Sequence, residues 1–128
     1  MSSQAALFNS VPATDYLHLF QDGKVDGQKV VRFLKYKKAD VCVATNVPLA
    51  SIRYDHNKIP AELEERLQEW AIAINLVQGF FQDSQKTMLW FSTPNPLLGS
   101  MSPRDMIRLG RFKKLLNFVQ TALDENQR

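Results

Sequence analysis

Three side chains in this sequence are of types that hold metals or attack electrophiles: His18, His56 and Cys42. A zinc site gathers its ligands at short, repeated spacings, and these three stand far apart in no such pattern, so no metal site is expected. Carboxylates crowd one short stretch, Glu62, Glu64, Glu65 and Glu69. In the first turns of a helix such acids complement the helix dipole and keep a surface wet, rather than forming an acid–base pair. There is no glycine-rich phosphate loop, no Gly-x-Ser-x-Gly elbow and no His-Glu-x-x-His pair. The residues point away from catalysis and cofactors, toward a binding protein.

The chemistry that remains is recognition by charge. Residues 24 to 58 carry eight Lys/Arg against three acids, a local charge of +5. Residues 59 to 87 carry −3 and residues 88 to 128 carry +3, so the chain reads basic, acidic, basic. The first basic block suits either an anionic partner or a plain solvated surface.

These side chains need elements to position them. With 45% hydrophobic and 23% charged residues the chain has the balance of a folded globular protein, and its 128 residues suffice for one core or two small lobes sharing a helix. Its apolar runs are far shorter than the roughly 20 residues of a membrane helix, and the start has no basic-then-apolar leader, which leads us to expect a cytoplasmic protein. Cys42, within an apolar stretch, is expected as a small core hydrophobe.

Residues 1–12 have no sustained period and are expected to form a flexible arm. Thr14 or Asp15 is then expected to cap a helical turn carrying Tyr16, Leu17, Leu19 and Phe20, ending near Asp22 and Gly23. Asp26 caps the next helix, with Val30, Val31, Phe33 and Leu34 inward. From Ala39 to Tyr54 the pattern is that of two short helices around a tight bend at Asn46 and Val47, the second opened by Pro48. In such a helix-turn-helix the second helix, residues 48–54, offers its early side chains to DNA bases. Leu49, Ser51 and Arg53 are the candidates there, with Ile52 holding the helix down. Lys35, Lys37, Lys38 and Lys58 would contact phosphates. The same unit also serves as a scaffold or dimerisation element without DNA.

After Asp55-His56-Asn57, Pro60 starts the longest helix, with Leu63, Leu67, Trp70, Ile74, Val77 and Phe81 at helical steps. Ile72, Ala73, Leu76 and Phe80 widen its apolar surface until little polar face remains, so its end must be covered on more than one side. Asp83 or Ser84 caps a short helix ending at Trp90 and Phe91. A rigid loop with Pro94, Pro96 and Gly99 follows, suited either to holding a partner or to lidding the core. Ser102, Pro103 and Asp105 mark a clear helix start, Gly110 ends that helix, and a last one turns Phe112, Leu115, Leu116, Val119, Ala122 and Leu123 inward. No strand is expected. The fold class is all-α: an N-terminal helix-turn-helix lobe and a small C-terminal helical lobe joined through one long central helix.

Residues 90 to 110, reading Trp-Phe-Ser-Thr-Pro-Asn-Pro-Leu-Leu-Gly-Ser-Met-Ser-Pro-Arg-Asp-Met-Ile-Arg-Leu-Gly, resemble the toxin-binding domain of the MbcA/ParS/Xre antitoxin family, whose hallmark is W-L-x-T-P-N-x-x-L-G-G-x-x-P-x-D-L-L-x-x-G. The stretch before it, residues 40 to 55 and the helix from Pro60, resembles the family's Xre-type helix-turn-helix. The resemblance implies residues 13–59 as a helix-turn-helix region and 60–128 as a toxin-binding domain of a bacterial type II antitoxin. It implies a RES-domain toxin that destroys NAD as partner and repression of the protein's own operon through operator DNA; a homodimer is expected because paired helix-turn-helix units usually read two half-sites. Trp90, Pro94, Asn95, Pro96, Leu98, Gly99, Pro103 and Asp105 match the motif. Of these, Trp90 and Leu98 are expected to anchor the core, and Gly99 and Pro103 to shape the loop and the helix start. Arg104, Arg108, Arg111 and the tail through Arg128 are expected to reach the toxin. Two positions depart from the family pattern: Ser100 stands where a second glycine is usual, and Asn46 replaces the common turn glycine.

Overall fold

A 21-residue helix, α3 (Ala61–Phe81), runs through the middle of the molecule. The structure is a computed structural model that describes residues 14–126; the expected arm, residues 1–12, and Arg128 lie outside the described residues. The element order is β1 (Phe20–Gln21), β2 (Lys24–Val25), α1 (Gly27–Phe33), α2 (Lys38–Thr45), a 3-10 turn (Leu49–Ser51), α3, α4 (Ser84–Ser92), a second 3-10 turn (Pro96–Leu98), α5 (Pro103–Arg108) and α6 (Phe112–Asn126). The described residues are mostly helical, with one two-stranded antiparallel sheet, and the all-α class holds.

The periodicity of α3 explains its central place. Leu63, Leu67, Trp70, Ala71, Ala73, Ile74 and Val77 are all buried along it, and each large apolar side chain so buried contributes roughly 1.5–3 kcal/mol. It packs against β2, α1 and α2 from the first half of the chain and against α4 and α6 from the second. The two halves also touch directly, through α2 and α5. Buried residues of both halves therefore form one continuous core, from Leu19 and Val25 to Leu116 and Val119.

Side-chain caps mark three of the six described helix starts. The carboxylate of Asp26 accepts from the Lys29 N–H, Asp83 from Gln85 and Lys86, and the Ser102 hydroxyl from Asp105. These side chains satisfy amides that a first helical turn leaves unpaired. Asn46 ends α2 at φ 61°, the left-handed conformation expected of the bend.

Two expected elements are absent. Residues 14–19 form a loop, not a capped helical turn: both carboxylate oxygens of Asp15 accept backbone N–H bonds, from Leu19 at 2.8 Å and Phe20 at 3.0 Å. Phe20 and Gln21 then pair with Val25 and Lys24. Asp22 and Gly23 both take positive φ, 52° and 79°, the pair of left-handed residues that a tight hairpin turn demands. The helix expected over residues 48–54 is a single 3-10 turn. Pro48 is extended (φ −58°, ψ 146°) and Ile52 is extended again (φ −73°, ψ 105°), bracketing Leu49–Ser51. Val47 and Ile52, both buried, are pinned at a spacing that a straight helix cannot turn to one side.

Candidate functional site

The loop from the end of α4 to the start of α5 is built around Asn95. Its side-chain Oδ1 accepts from the Leu97 N–H at 2.9 Å, its carbonyl from Leu98 at 2.9 Å and Ser100 at 3.0 Å, and its own N–H donates to the Met101 carbonyl at 3.1 Å. Four bonds on one residue, with an isolated antiparallel bridge between Asn95 and Met101, fix the connection 93–102 that prolines alone would leave open. Asparagine suits this place because its amide can mimic a backbone turn. Upstream, the Ser92 and Thr93 hydroxyls donate to the carbonyls of Met88 and Leu89, at 2.9 and 2.6 Å, closing the last turn of α4.

The chain reverses through two consecutive left-handed residues, Gly99 at φ 70° and Ser100 at φ 64°. Asn46, at φ 61°, shares with Ser100 the left-handed conformation that glycine adopts most readily. Ser102 caps α5 and Pro103 takes its first position, where a missing N–H costs nothing.

What this frame displays is apolar. Leu97 is 77% exposed, the most exposed large hydrophobe among the described residues, with Pro94 and Pro96 exposed beside it. Next to Leu97 a groove of ~220 Å³ opens between the C-terminal ends of α3 and α6, lined by Phe80, Phe81, Trp90, Phe118 and Leu123, with the amides of Asn95 and Asn126 at its edge. Trp90 is half-buried against the core, as expected of it, and also forms a wall of this groove. The fully buried ring is Phe91, set edge-on to Trp90 at 5.1 Å and to Phe33 at 6.4 Å. Leu98 is half-buried against the core. Such a surface can hold a complementary apolar partner; it presents no nucleophile and no paired acid and base.

The expected arginines divide. Arg111 is exposed at the start of α6. Arg104 and Arg108 instead turn back onto the first half of the chain. The Arg104 guanidinium lies over the Tyr36 ring, 5.6 Å from its centroid, and reaches the Lys35 carbonyl at 3.4 Å. Arg108 stands 4.0 Å from Asp40 and 3.4 Å from Asp105. Asp40 also accepts from the Lys37 N–H at 2.8 Å. Arg104 and Arg108, expected to be exposed, are instead half-buried where α2 packs on α5.

The basic candidates sit at two separate places. Lys35, Lys37 and Lys38 are exposed at the start of α2, Lys35 with φ 58°. Leu49 and Arg53 are exposed and Ser51 half-buried, past the other end of that eight-residue helix, about 12 Å away along its axis. Lys58 is exposed in the turn that bonds back to Asp55. Among the described residues no group of three or more His, Cys, Asp or Glu is arranged to hold a metal. Cys42 is half-buried on α2, and His56 Nε2 lies 3.4 Å from the Val25 carbonyl. No described helix is long and apolar enough to cross a membrane.

Two contacts were missed by sequence reasoning, one between the halves of the chain and one within α3. Tyr36 is buried and its hydroxyl donates to the Arg104 carbonyl; burial raises its pKa above the ordinary phenol value, so it stays a donor. Glu69 is buried on α3 with Arg66 Nε 2.8 Å from it, off the N–H axis, so the contact is an ion pair rather than an aligned hydrogen bond. Burial pushes the Glu69 pKa upward against the pull of Arg66.

No protein-family model and no curated protein matches the chain. Among solved structures it is similar to a chain of the crystal structure of the M. tuberculosis MbcT-MbcA toxin-antitoxin complex, with a TM-score of 0.49 and 20% identity over 74% of this chain and 87% of that chain.

Proposed function

We propose that this chain is the antitoxin of a type II toxin-antitoxin system, which binds and occludes a RES-type, NAD-degrading toxin. The observation that carries the reading is the Asn95-centred loop. The residues that resemble the antitoxin motif, Pro94, Asn95, Pro96, Gly99 and Pro103, build a rigid frame whose product is a displayed apolar knob, Leu97, beside an aromatic groove. A pre-ordered knob loses little entropy on association, which suits a protein that must hold its partner tightly and do no chemistry. In this reading Leu97, Trp90 and Arg111 touch the toxin, while Arg104 and Arg108 hold α5 in place behind them.

Operator binding, the second half of the reading, rests on Lys35, Lys37 and Lys38. One 3-10 turn is too short to lie along a major groove as a recognition helix does, so DNA contact through this face is phosphate contact. A homodimer would bring two such lysine clusters to one duplex.

Co-expression with the product of the neighbouring gene tests the proposal, with growth and cellular NAD as readouts. Recovery of both, and their loss in a Leu97→Asp variant that keeps its thermal midpoint, is the expected result. A harmless neighbour, or one that stays lethal despite the co-expressed chain, would overturn it for that pair and favour a DNA-binding regulator without a toxin. That alternative predicts salt-dependent binding to the gene's own promoter which weakens when Lys37, Lys38 and Arg53 become alanine.

A further inference from the structure

The groove beside Leu97 is walled by aromatic rings. Phe80, Phe81, Trp90 and Phe118 line it, and none of its lining residues is charged. Phe80 is 50% exposed and meets Phe81 edge-on, their centroids 5.1 Å apart. Walls of this kind receive apolar side chains in general, and the charge around them narrows the choice.

Both α3 and α6 end at this groove. The last carbonyls of a helix have no partner within it and give that end a negative partial charge of roughly half a unit. A lysine or arginine in the last turn complements that charge, and neither helix has one. The flanking charges are acidic instead. Asp83 follows α3 by two residues, and Asp124 and Glu125 stand between the lining residues Leu123 and Asn126, all three acids exposed. Lys86 is the one basic residue between positions 67 and 103, and residues 115–126 contain none. A chain of net charge +3 therefore has a groove of negative potential at this end. The rings act in the same sense, since the face of an aromatic ring carries the negative part of its quadrupole. The Asn126 amide nitrogen donates to the Ala122 carbonyl at 2.9 Å, so the group it can offer a ligand is its oxygen, an acceptor.

We propose that the groove seats an arginine side chain of the partner protein, its methylene stem against Leu97 and Leu123 and its guanidinium against the rings. This rests on the reading that the Leu97 face holds a partner. A guanidinium is planar, stacks on ring faces and is more weakly hydrated than an ammonium, which suits it to a half-open aromatic wall. A volume of ~220 Å³ has room for one such side chain.

Titration of the full chain with three blocked tripeptides, glycine at both ends and arginine, citrulline or norleucine at the centre, tests this. Citrulline has the shape of arginine without its charge. The indole N–H resonance of Trp90 reads the groove, and that of Trp70, 1% exposed, is the internal reference; the chain has no other tryptophan. At low salt the arginine peptide should shift the Trp90 signal saturably and bind about fivefold more tightly than the citrulline peptide, the size of an exposed cation–π contact, with the Trp70 signal unmoved. Equal affinities for arginine and citrulline would overturn the proposal. So would the lack of a saturable shift, or norleucine binding at least as well as arginine, the mark of a plain apolar seat. Phe80→Leu keeps an apolar side chain and removes a ring, so it should reduce the preference for arginine over citrulline; an undiminished preference would count against the aromatic seat. The assay needs no toxin, so a negative result here leaves the antitoxin reading standing, and a failed rescue in co-expression leaves this result standing.

Discussion

Tyr36 and Arg104 hold each other twice: the Tyr36 hydroxyl donates to the Arg104 carbonyl, and the Arg104 guanidinium lies over the Tyr36 ring. The residues are 68 positions apart, one just before α2 and the other in α5, so the contact locks the basic half of the chain to the helix that follows the Asn95 loop. Trp70 of α3 meets the same tyrosine ring edge-on at 5.7 Å. Surface display at Leu97 and the position of the lysine cluster are therefore referred to one packed junction.

Tyr36→Phe should leave the ring packing in place and remove the side-chain donor to the Arg104 carbonyl, which keeps its intrahelical partner. A hydrogen bond of this kind contributes about 0.5–1.5 kcal/mol, and urea unfolding of the variant should show a loss in that range with an unchanged slope. Arg104→Ala removes the cation above the ring, worth ~0.5–2 kcal/mol. The hydroxyl donates to a backbone carbonyl, so that bond survives the second substitution. The two losses should then be nearly additive in a double-mutant cycle; a large coupling energy would contradict this separation of roles.

Acid should destabilise the fold through Asp15. Partial burial raises the pKa of its carboxyl, but the N–H groups of Leu19 and Phe20 and the amide of Asn75, 2.9 Å away, outweigh that and hold it below the usual carboxylate range. A depressed folded value stabilises the protein above the unfolded pKa, and that contribution is lost as the pH falls through the folded one. Stability should therefore fall away below about pH 4, and Asp15→Asn should flatten this acid limb while lowering stability at neutral pH. Glu69 works in the opposite sense. Its raised pKa means that stability declines as the pH rises from the ordinary glutamate value through the folded one, so Glu69→Gln should remove a separate, opposite slope just above the first. Thermal midpoints of the parent and the two variants from pH 2.5 to 7 check both signs.

Much of this was legible in the sequence, and the failures have identifiable causes. Asp26, Asp83 and Ser102 were readable as caps and Asn46 as a bend because each acts within a few residues of itself. The run of Leu63, Leu67, Trp70, Ile74 and Val77 needed only a sustained period. Asp22-Gly23 between Phe20-Gln21 and Lys24-Val25 carried a hairpin signal that a search for helical spacing passed over. The 3-10 turn at Leu49–Ser51 was not readable locally, since Pro48 opens helices and extended segments alike and burial of both Val47 and Ile52 decides between them. Nor was the fate of Arg104 and Arg108: a motif places them on α5, and only the packing of α2 against α5 turns them inward. Of the candidate site, the loop frame at Asn95, Gly99, Ser102 and Pro103 was visible, whereas the groove wall formed by Phe80, Trp90 and Phe118 required the fold.

Gly27 is the place where α1 comes closest to its neighbours. A Cβ there would lie 2.8 Å from Leu67 Cδ1 and 2.8 Å from Tyr54 Cδ1, nearer than atoms can pack. Gly27→Ala should cost roughly 1–3 kcal/mol, as overpacking of a filled interior does, despite alanine being the better helix former. Tyr54→Leu in the same chain should recover part of the loss by clearing one of the two obstructions. If Gly27→Ala proves neutral or stabilising in thermal unfolding, the approach of α1 to α3 is looser than described here.

Ser100 and Asn46 offer a contrast between two residues that hold left-handed backbone, at φ 64° and 61°. That conformation strains an L-residue by roughly 1–2 kcal/mol, but asparagine tolerates it because its short polar side chain bonds locally. Glycine relieves the strain and at the same time enlarges the freedom of the unfolded chain, an opposing effect of about 0.4–1 kcal/mol. Ser100→Gly should therefore stabilise the protein by about 0.5–1 kcal/mol, while Asn46→Gly should be close to neutral. The Ser100 side chain is exposed and its N–H, which bonds to the Asn95 carbonyl at 3.0 Å, is retained in the variant. Partner binding through Leu97 should therefore be unchanged as the thermal midpoint rises. A midpoint that falls in Ser100→Gly would show that the serine stabilises this turn in a way that backbone conformation does not account for.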